Sequence, residues 1–435
     1  LLPLVSFTIP LVLGNLFQLT YNAADSVIVG KYVGEQALAA VGTSTPIMNI
    51  AILLISGMCM GASVLMSSQY GAKDYDTLSR QISTTMLAGC GFSVVFSLLM
   101  LLLANPVLRL IRVPETAIPE SAAYLRIIFM GLIFTFMYNF LANTMRALGD
   151  SKTPLYFLVT SAFLNIFGDL FFVVVLRWGV AGSAIATVCS EGICCLLCGI
   201  YIKKKIPLLC LGKKWWVFDK SLLGKTVSYG STSAMQQVCL QLGKLIIQSV
   251  VNTQGVAVMA AFTAVNRVDD FAYTPQQNIG HAMTTFLAQN KGAGHKERMK
   301  KGFQTGLLIE LVYSIGLFCV IWGLAPQIMT LFAEDGDAQV VSLGISYLHL
   351  ISWMYILPGL TNGVQGFFRG IGDLKVTLYS TFMNMFGRVV AVFVMIRLLQ
   401  MEFASLAWAN MVGWIVMLLF EVPLLVKSMR NGECG

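Results

Sequence analysis

Residues 14–30 read GNLFQLTYNAADSVIVG, and this stretch decides how the chain is read. It lies inside an apolar segment that begins at Leu1. Asn15, Gln18, Asn22 and Asp25 recur at i, i+3, i+7 and i+10, which is one face of an α-helix. A bilayer-length helix with a polar stripe ending in a carboxylate is not a plain lipid-facing anchor. A carboxylate near the bilayer centre costs about 2.5–3.5 kcal/mol on insertion scales, so it faces protein or a watery cavity and marks an ion or substrate path. Residues 27–29 are still apolar, so Asp25 is not simply a charge at a helix end.

The rest of the composition agrees with a membrane setting. Hydrophobic residues make up 57% of the 435 and charged residues 11%; a soluble domain carries about 25% charge. Leu1 opens directly into an apolar run with no basic flank or cleavage site, so no secretory leader is expected. The net charge of +8 would suit a nucleic acid, but the basic residues lie in loops between spans, where they set orientation; no nucleic-acid partner is expected. Most of the ten cysteines fall in apolar segments and read as small hydrophobes, including the Cys195–Cys198 pair, so no metal site is expected.

Twelve spans long enough to cross about 30 Å of hydrocarbon are predicted at 4–28, 40–68, 82–104, 122–144, 154–176, 180–202, 227–251, 257–288, 303–323, 340–367, 376–396 and 404–426. The basic, aromatic-containing stretch 203–225 reads as a cytoplasmic linker between a lobe at 1–202 and a lobe at 226–435. With both termini in the cytoplasm, the inner segments hold most of the basic residues, Arg146, Lys203, Lys204, Lys205 and Arg369 among them. The outer ones hold only Lys31, Arg109, Arg112, Arg177 and Arg397.

The two halves repeat. MRALGDSKTPLY at 145–156 answers FRGIGDLKVTLY at 368–379, SQYGAK at 68–73 answers AQNKGAG at 288–294, and Asn139 answers Asn362. Six spans per copy is an even number, so the copies share one orientation, with a pseudo-two-fold along the membrane normal and a cavity between lobes. The predicted fold class is therefore an all-α integral membrane protein, and the repeat favours a transporter over a membrane enzyme.

Polar side chains inside the spans nominate the site. Asn165 and Asp169 stand at i, i+4 on span five, Asn139 and Asn143 on span four, Thr187 and Glu191 on span six. With Asp25 they are expected to converge on one pocket in the first lobe. Two carboxylates in a low-dielectric pocket do not both stay charged cheaply: one holds a proton, or a bound cation neutralises both. Asn, Thr and Asp oxygens suit Na⁺ as well as H⁺.

The second lobe mixes signs. Span seven carries Ser233, Gln237, Gln241, Lys244 and Gln248 at helical spacing; span eight carries Arg267, Asp269 and Asp270; span nine carries Glu310; span eleven carries Asn384 and Arg388. Lys244 or Arg388 is expected to pair with Asp269 or Asp270, because an unpaired buried charge is expensive. Pro10 interrupts the hydrogen-bond ladder of span one about 22 Å before Asp25, at 1.5 Å per residue, and is read as a hinge. No GxxxxGK[ST], HExxH or GxSxG element occurs, so neither an ATPase nor another enzyme is expected, and active transport draws on an ion gradient. No cofactor is expected beyond the transported H⁺ or Na⁺.

Over nearly its whole length the chain resembles the multidrug and toxic compound extrusion (MATE) transporters. The resemblance rests on YNAADSVIVGKYVGEQALAAVG at 21–42, SQYGAKDY at 68–75, ANTMRALGDSKTPL at 142–155, GVAGSAIAT at 179–187, AVNRVDDF at 264–271, HAMTTFLAQNKGAG at 281–294 and FRGIGD at 368–373. It implies a V-shaped, two-lobed antiporter that expels organic cations or drugs in exchange for Na⁺ or H⁺. It also implies a multi-pass protein of the cytoplasmic (inner) membrane, among lipids and acting as a monomer. In the DinF-like branch, which fits better than the NorM-like one, Asp25 matches the span-one carboxylate and Pro10 the bend proline. Asn165 and Asp169 match the span-five pair, and Asn139 and Thr187 the accompanying polar residues. Ala142 stands where that branch has a second span-four Asn. A lipid-linked precursor or polysaccharide flippase of related architecture is the rival reading, kept alive by Lys244 and Arg388. A membrane receptor is a third reading, opposed by the repeat and the pocketed carboxylates.

Overall fold

With no water in hydrocarbon, a spanning segment satisfies its backbone internally, and apolar runs of this length do so as helices. The computed structural model describes residues 2–33, 35–110, 113, 115, 117–206, 216–332, 338–399, 403 and 405–430. For 22–27, only the backbone is described; the side chains of Asn22 and Asp25 lie outside the described residues.

The first half holds α1 (Leu2–Tyr32), α2 (Glu35–Gly71), α3 (Tyr75–Leu110), α4 (Ile118–Met130), α5 (Leu132–Ala147), α6 (Lys152–Asp169) and α7 (Gly179–Lys205). The second holds α8 (Lys220–Val251), α9 (Val256–Gly292), α10 (Lys296–Phe332), α11 (Ala338–Ser352), α12 (Ile356–Gly370), α13 (Leu374–Phe393) and α14 (Ser405–Arg430). The halves correspond element by element. Even the π-helical turns recur, at Leu170–Val175 after α6 and at Val394–Leu398 after α13.

Among the described residues, nine helical runs are long and apolar enough to cross a membrane, and the α4–α5 pair makes a tenth. The two other expected spans, 227–251 and 257–288, are the long helices α8 and α9, which carry the polar stripes read above. Two expectations change in detail. Span four is not one straight helix: α4 and α5 meet at Gly131 with a 46° bend. Span ten is broken by a 3₁₀ turn, Trp353–Tyr355, between α11 and α12.

The chain forms two compact units, Ile9–Ala234 and Leu1–Thr8 with Met235–Gly435. Each has its own core. The first is built around Ile55, Phe129, Phe136 and Phe140; the second around Tyr347, Leu348, Ile351 and Met354. Pro10 lies just past the Thr8–Ile9 division, inside helix α1.

The segment read as a linker is helical at both ends. α7 runs to Lys205 and α8 starts at Lys220, while 207–215 lie outside the described residues. Residues 216–219 dock on α3: the Val217 N–H donates to Ser83 Oγ (2.9 Å) and the Asp219 N–H to Thr84 Oγ1 (3.0 Å). Asp219 Oδ1 then accepts from the Ser221 and Leu222 amides at 2.8 and 3.2 Å, capping α8, and Oδ2 accepts from Arg80 at 2.6 Å.

The repeated RALGD/RGIGD turn has a simple cause. Gly149 (φ 91°) and Gly372 (φ 85°) occupy the left-handed region at equivalent turns, where a Cβ is strained. Asp150 Oδ1 accepts from the Lys152 and Thr153 amides at 3.1 and 3.0 Å, starting α6.

Candidate ion-coupling pocket

Small residues bring α6 against α7. A Cβ on Gly168 would lie 3.0 Å from Ala186 Cβ, and one on Gly182 3.1 Å from the Phe172 carbonyl carbon. That approach places the polar face of α6 on the polar face of α7. Asn165 is buried, and its Nδ2 donates to Thr187 Oγ1 at 3.2 Å; Asn165 Oδ1 accepts no hydrogen bond among the described residues. One turn on, Asp169 is fully buried at the junction of the α-helix with the π-helical turn. Such turns recur at functional sites, although the second half keeps the turn with Phe393 in the place of Asp169.

α5 closes the other side. The Thr135 hydroxyl donates to Glu191 Oε2 at 2.5 Å, and Asn139 Nδ2 donates to the Thr135 carbonyl at 2.8 Å. Thr187 and Glu191 are one turn apart, so a single face of α7 reaches α6 through the first and α5 through the second. Of the predicted residues, Asn139, Asn165, Asp169 and Thr187 therefore lie on three adjoining helices of one unit. Asp25 is on α1, whose Gly14 packs on α6: its Cβ position is 3.3 Å from Leu158 and 3.6 Å from Leu155. Thr135, the residue that engages Glu191, was missed by sequence reasoning; a Thr in LIFTF carries no signal until α7 is set against α5.

In the second unit the expected ion pair forms between Lys244 and Asp270, 3.2 Å apart with both side chains about half exposed. Asp269 is met differently. It is buried, and accepts from Tyr355 Oη at 2.5 Å and Tyr347 Oη at 3.1 Å; Asn410 Nδ2 donates to Tyr347 Oη at 2.8 Å. Half-buried Arg388 lies within electrostatic reach of Asp269 without forming a direct bridge. Gln237 and Gln241 are half-buried on α8; the fully engaged glutamine is their neighbour Gln236, which donates to Gln365 Oε1 (3.2 Å) and Thr381 Oγ1 (2.9 Å).

Arg369, placed among the inner loop charges from sequence, is instead buried at the end of α12, donating to Gln365 Oε1 at 2.8 Å. Buried Glu421 on α14 lies within its electrostatic reach.

Known proteins place the chain in a family. The MatE family model matches twice, over residues 10–171 and 233–394, one copy in each half. The chain is 32% identical over 378 residues to the probable multidrug resistance protein YpnP of Bacillus subtilis, covering 86% of this chain and 83% of the relative. It is 29% identical over 389 residues to the probable multidrug resistance protein YoeA of the same organism, covering 87% and 82%. A solved MOP superfamily transporter from Pyrococcus furiosus superposes with a TM-score of 0.91 over 98% of this chain and 96% of that one, at 21% identity. Matched in both of its halves, and sharing that transporter fold, this chain belongs to the MatE family, the multidrug and toxic compound extrusion transporters, and is a transporter and not an enzyme.

Proposed function

We propose that this protein is a cation-coupled multidrug or organic-cation efflux antiporter that works by alternating access. The observation that carries the reading is Asp169, fully buried one turn from the Asn165–Thr187 hydrogen bond in an apolar span. Asp25, Asn139, Asn165, Asp169 and Thr187 form the coupling set. H⁺ or Na⁺ entering from outside neutralises the pocket, and substrate leaves from the other state of the same scaffold. Antiport requires only that ion and substrate favour different states. Beside the substrate, the mechanism needs only the transported H⁺ or Na⁺ and no cofactor. Pro10 is the hinge of α1, and the protein acts as a monomer in the cytoplasmic membrane with both termini inside, in the DinF-like manner. The names of YpnP and YoeA support drugs as the substrate class.

The flippase reading needs a free cationic surface for a phosphorylated lipid cargo, and Lys244 is already neutralised by Asp270. Efflux of a fluorescent organic cation from proteoliposomes, under an imposed pH gradient or an imposed Na⁺ gradient applied singly, tests the proposal. One gradient is expected to drive efflux in the wild type and neither in Asp25→Asn or Asp169→Asn. Gradient-driven efflux at the wild-type rate in both variants overturns it.

A further inference from the structure

Among the described buried acids outside the pocket above, Glu310 is the one in an otherwise uncharged setting. Glu310 sits in the middle of α10, 1% exposed, and neither of its carboxyl oxygens accepts a hydrogen bond among the described residues. The groups around it explain why. From α9, Gln276 Nε2 donates to Ser314 Oγ (3.1 Å) and to the Tyr355 carbonyl (2.8 Å). The Ser314 hydroxyl is directed to the Glu310 carbonyl (2.7 Å) and the Tyr355 carbonyl (3.3 Å). From α12, a Cβ on Gly359 would stand 2.8 Å from Ser314 Oγ, 3.2 Å from Gln276 Nε2 and 3.4 Å from Glu310 Oε2, so these groups converge on one spot.

Every donor at that spot is therefore spent on a carbonyl or hydroxyl oxygen, and what remains is acceptors. Gln276 is fully buried, and its Oε1 also accepts nothing among the described residues. Its amide orientation is fixed, because the Tyr355 carbonyl accepts only from the nitrogen side. Among the described residues, no charged side chain forms an ion pair with Glu310. Tyr313, on α10, gives its hydroxyl to the Ala272 carbonyl at 3.1 Å. Asp269 stands on the far side of Tyr355, bonded to its hydroxyl. His281 lies farther along α9, and His349, on α11, packs tilted against Trp322 with ring centroids 4.7 Å apart.

A carboxylate walled in by acceptors is very expensive, whereas a carboxylic acid has one proton to offer and one acceptor waiting. Three unspent oxygens are too few for a dehydrated metal ion, which takes about six, and enough for H⁺. We propose that Glu310 is a second proton-binding carboxyl, lodged at the break of span ten and independent of the first unit's pocket. Its hydroxyl donates to Gln276 Oε1 when protonated. Loss of that proton is felt at the break, because Gln276 and Ser314 both hold the Tyr355 carbonyl while Asp269 holds the Tyr355 hydroxyl.

Infrared spectroscopy of the purified full-length protein in lipid nanodiscs tests this directly, by the C=O stretch of protonated carboxylic acids. One such band is expected to disappear reversibly on alkalinisation, to be missing in Glu310→Gln, and to persist in Asp25→Asn and Asp169→Asn. Gln276→Met keeps Glu310 but removes the acceptor, so the band is expected to shift in frequency, which a merely misfolded variant does not produce. A Glu310 band unchanged at every pH, or one abolished by Na⁺ at constant pH, overturns the proposal. Because no transport is read, failure of the coupling set in the first unit leaves this outcome unaffected.

Discussion

Thr135 on α5 gives its hydroxyl to Glu191 on α7 across 2.5 Å, tying span four to span six inside the polar pocket. Thr135 is buried and Glu191 half-buried; removing a donor from such an acceptor costs about 1 kcal/mol or more, whereas replacing both partners by apolar groups of similar shape is nearly neutral. Thr135→Val is therefore expected to lower the thermal unfolding temperature in detergent, and Thr135→Val with Glu191→Leu to recover most of the loss. Additive losses in the double variant would show that the two groups do not depend on each other.

Asn165 and Thr187 make the companion tie from span five to span six. Thr187→Val leaves Asn165 Nδ2 without its acceptor and is expected to destabilise by about 1 kcal/mol, read by thermal unfolding. Thr187→Ser keeps the hydroxyl and should restore both stability and efflux. Wild-type behaviour in Thr187→Val together with a loss in Thr187→Ser would mean that the methyl group and not the hydroxyl is what the site uses.

The repeat was legible because its signals are local. RALGD and RGIGD carry a glycine that the turn requires and an aspartate beside it, and the helices then recur in the same order. The pairing of Lys244 with the 269–270 acids was legible in kind, since a half-buried charge seeks an opposite one, but not in its choice of Asp270. Asp269 went to two tyrosines, Tyr347 and Tyr355, that are 78 and 86 residues away in the chain and carry no periodic signal toward it. Arg369 was misplaced for a related reason. Loop charges and charges at a helix end look alike in sequence, and only the Gln365 side chain one turn back reveals that the guanidinium is buried. The 46° bend at Gly131 was hidden because a glycine in a span is more often there for close packing than for a break.

Gly149 shows how strongly the turn constrains its residue. At φ 91° an alanine is strained whatever space it finds, by about 1–3 kcal/mol. Gly199 on α7 is the control: it has ordinary helical geometry, and a Cβ placed there would meet nothing within 4 Å. There an alanine should gain about 0.5–1 kcal/mol from helix propensity. Thermal unfolding of Gly149→Ala and Gly199→Ala should thus move in opposite directions, with Gly372→Ala following Gly149→Ala because its φ is 85°. Equal shifts for all three would mean that the turns relax without penalty.

Asp219 gives the acid dependence of the α3–α8 junction. The Leu222 amide, then the Ser221 amide and the Arg80 guanidinium, hold its carboxyl below the usual aspartate range. A carboxyl depressed in the folded state stabilises that state at every pH above its unfolded value. The contribution fades as pH falls from there and is gone below the folded value, when the cap and the bridge to Arg80 lose their charge. Hydrogen exchange of the Ser221 and Leu222 amides should therefore quicken, relative to the intrinsic rate, as the medium is made strongly acidic. In Asp219→Asn the cap survives as a neutral acceptor while the bridge to Arg80 goes, so protection should be weaker at neutral pH and nearly independent of acid. Protection in the wild type that holds level through the acid range would mean the junction rests on Ser83, Thr84 and the apolar contacts, with no share for the carboxylate.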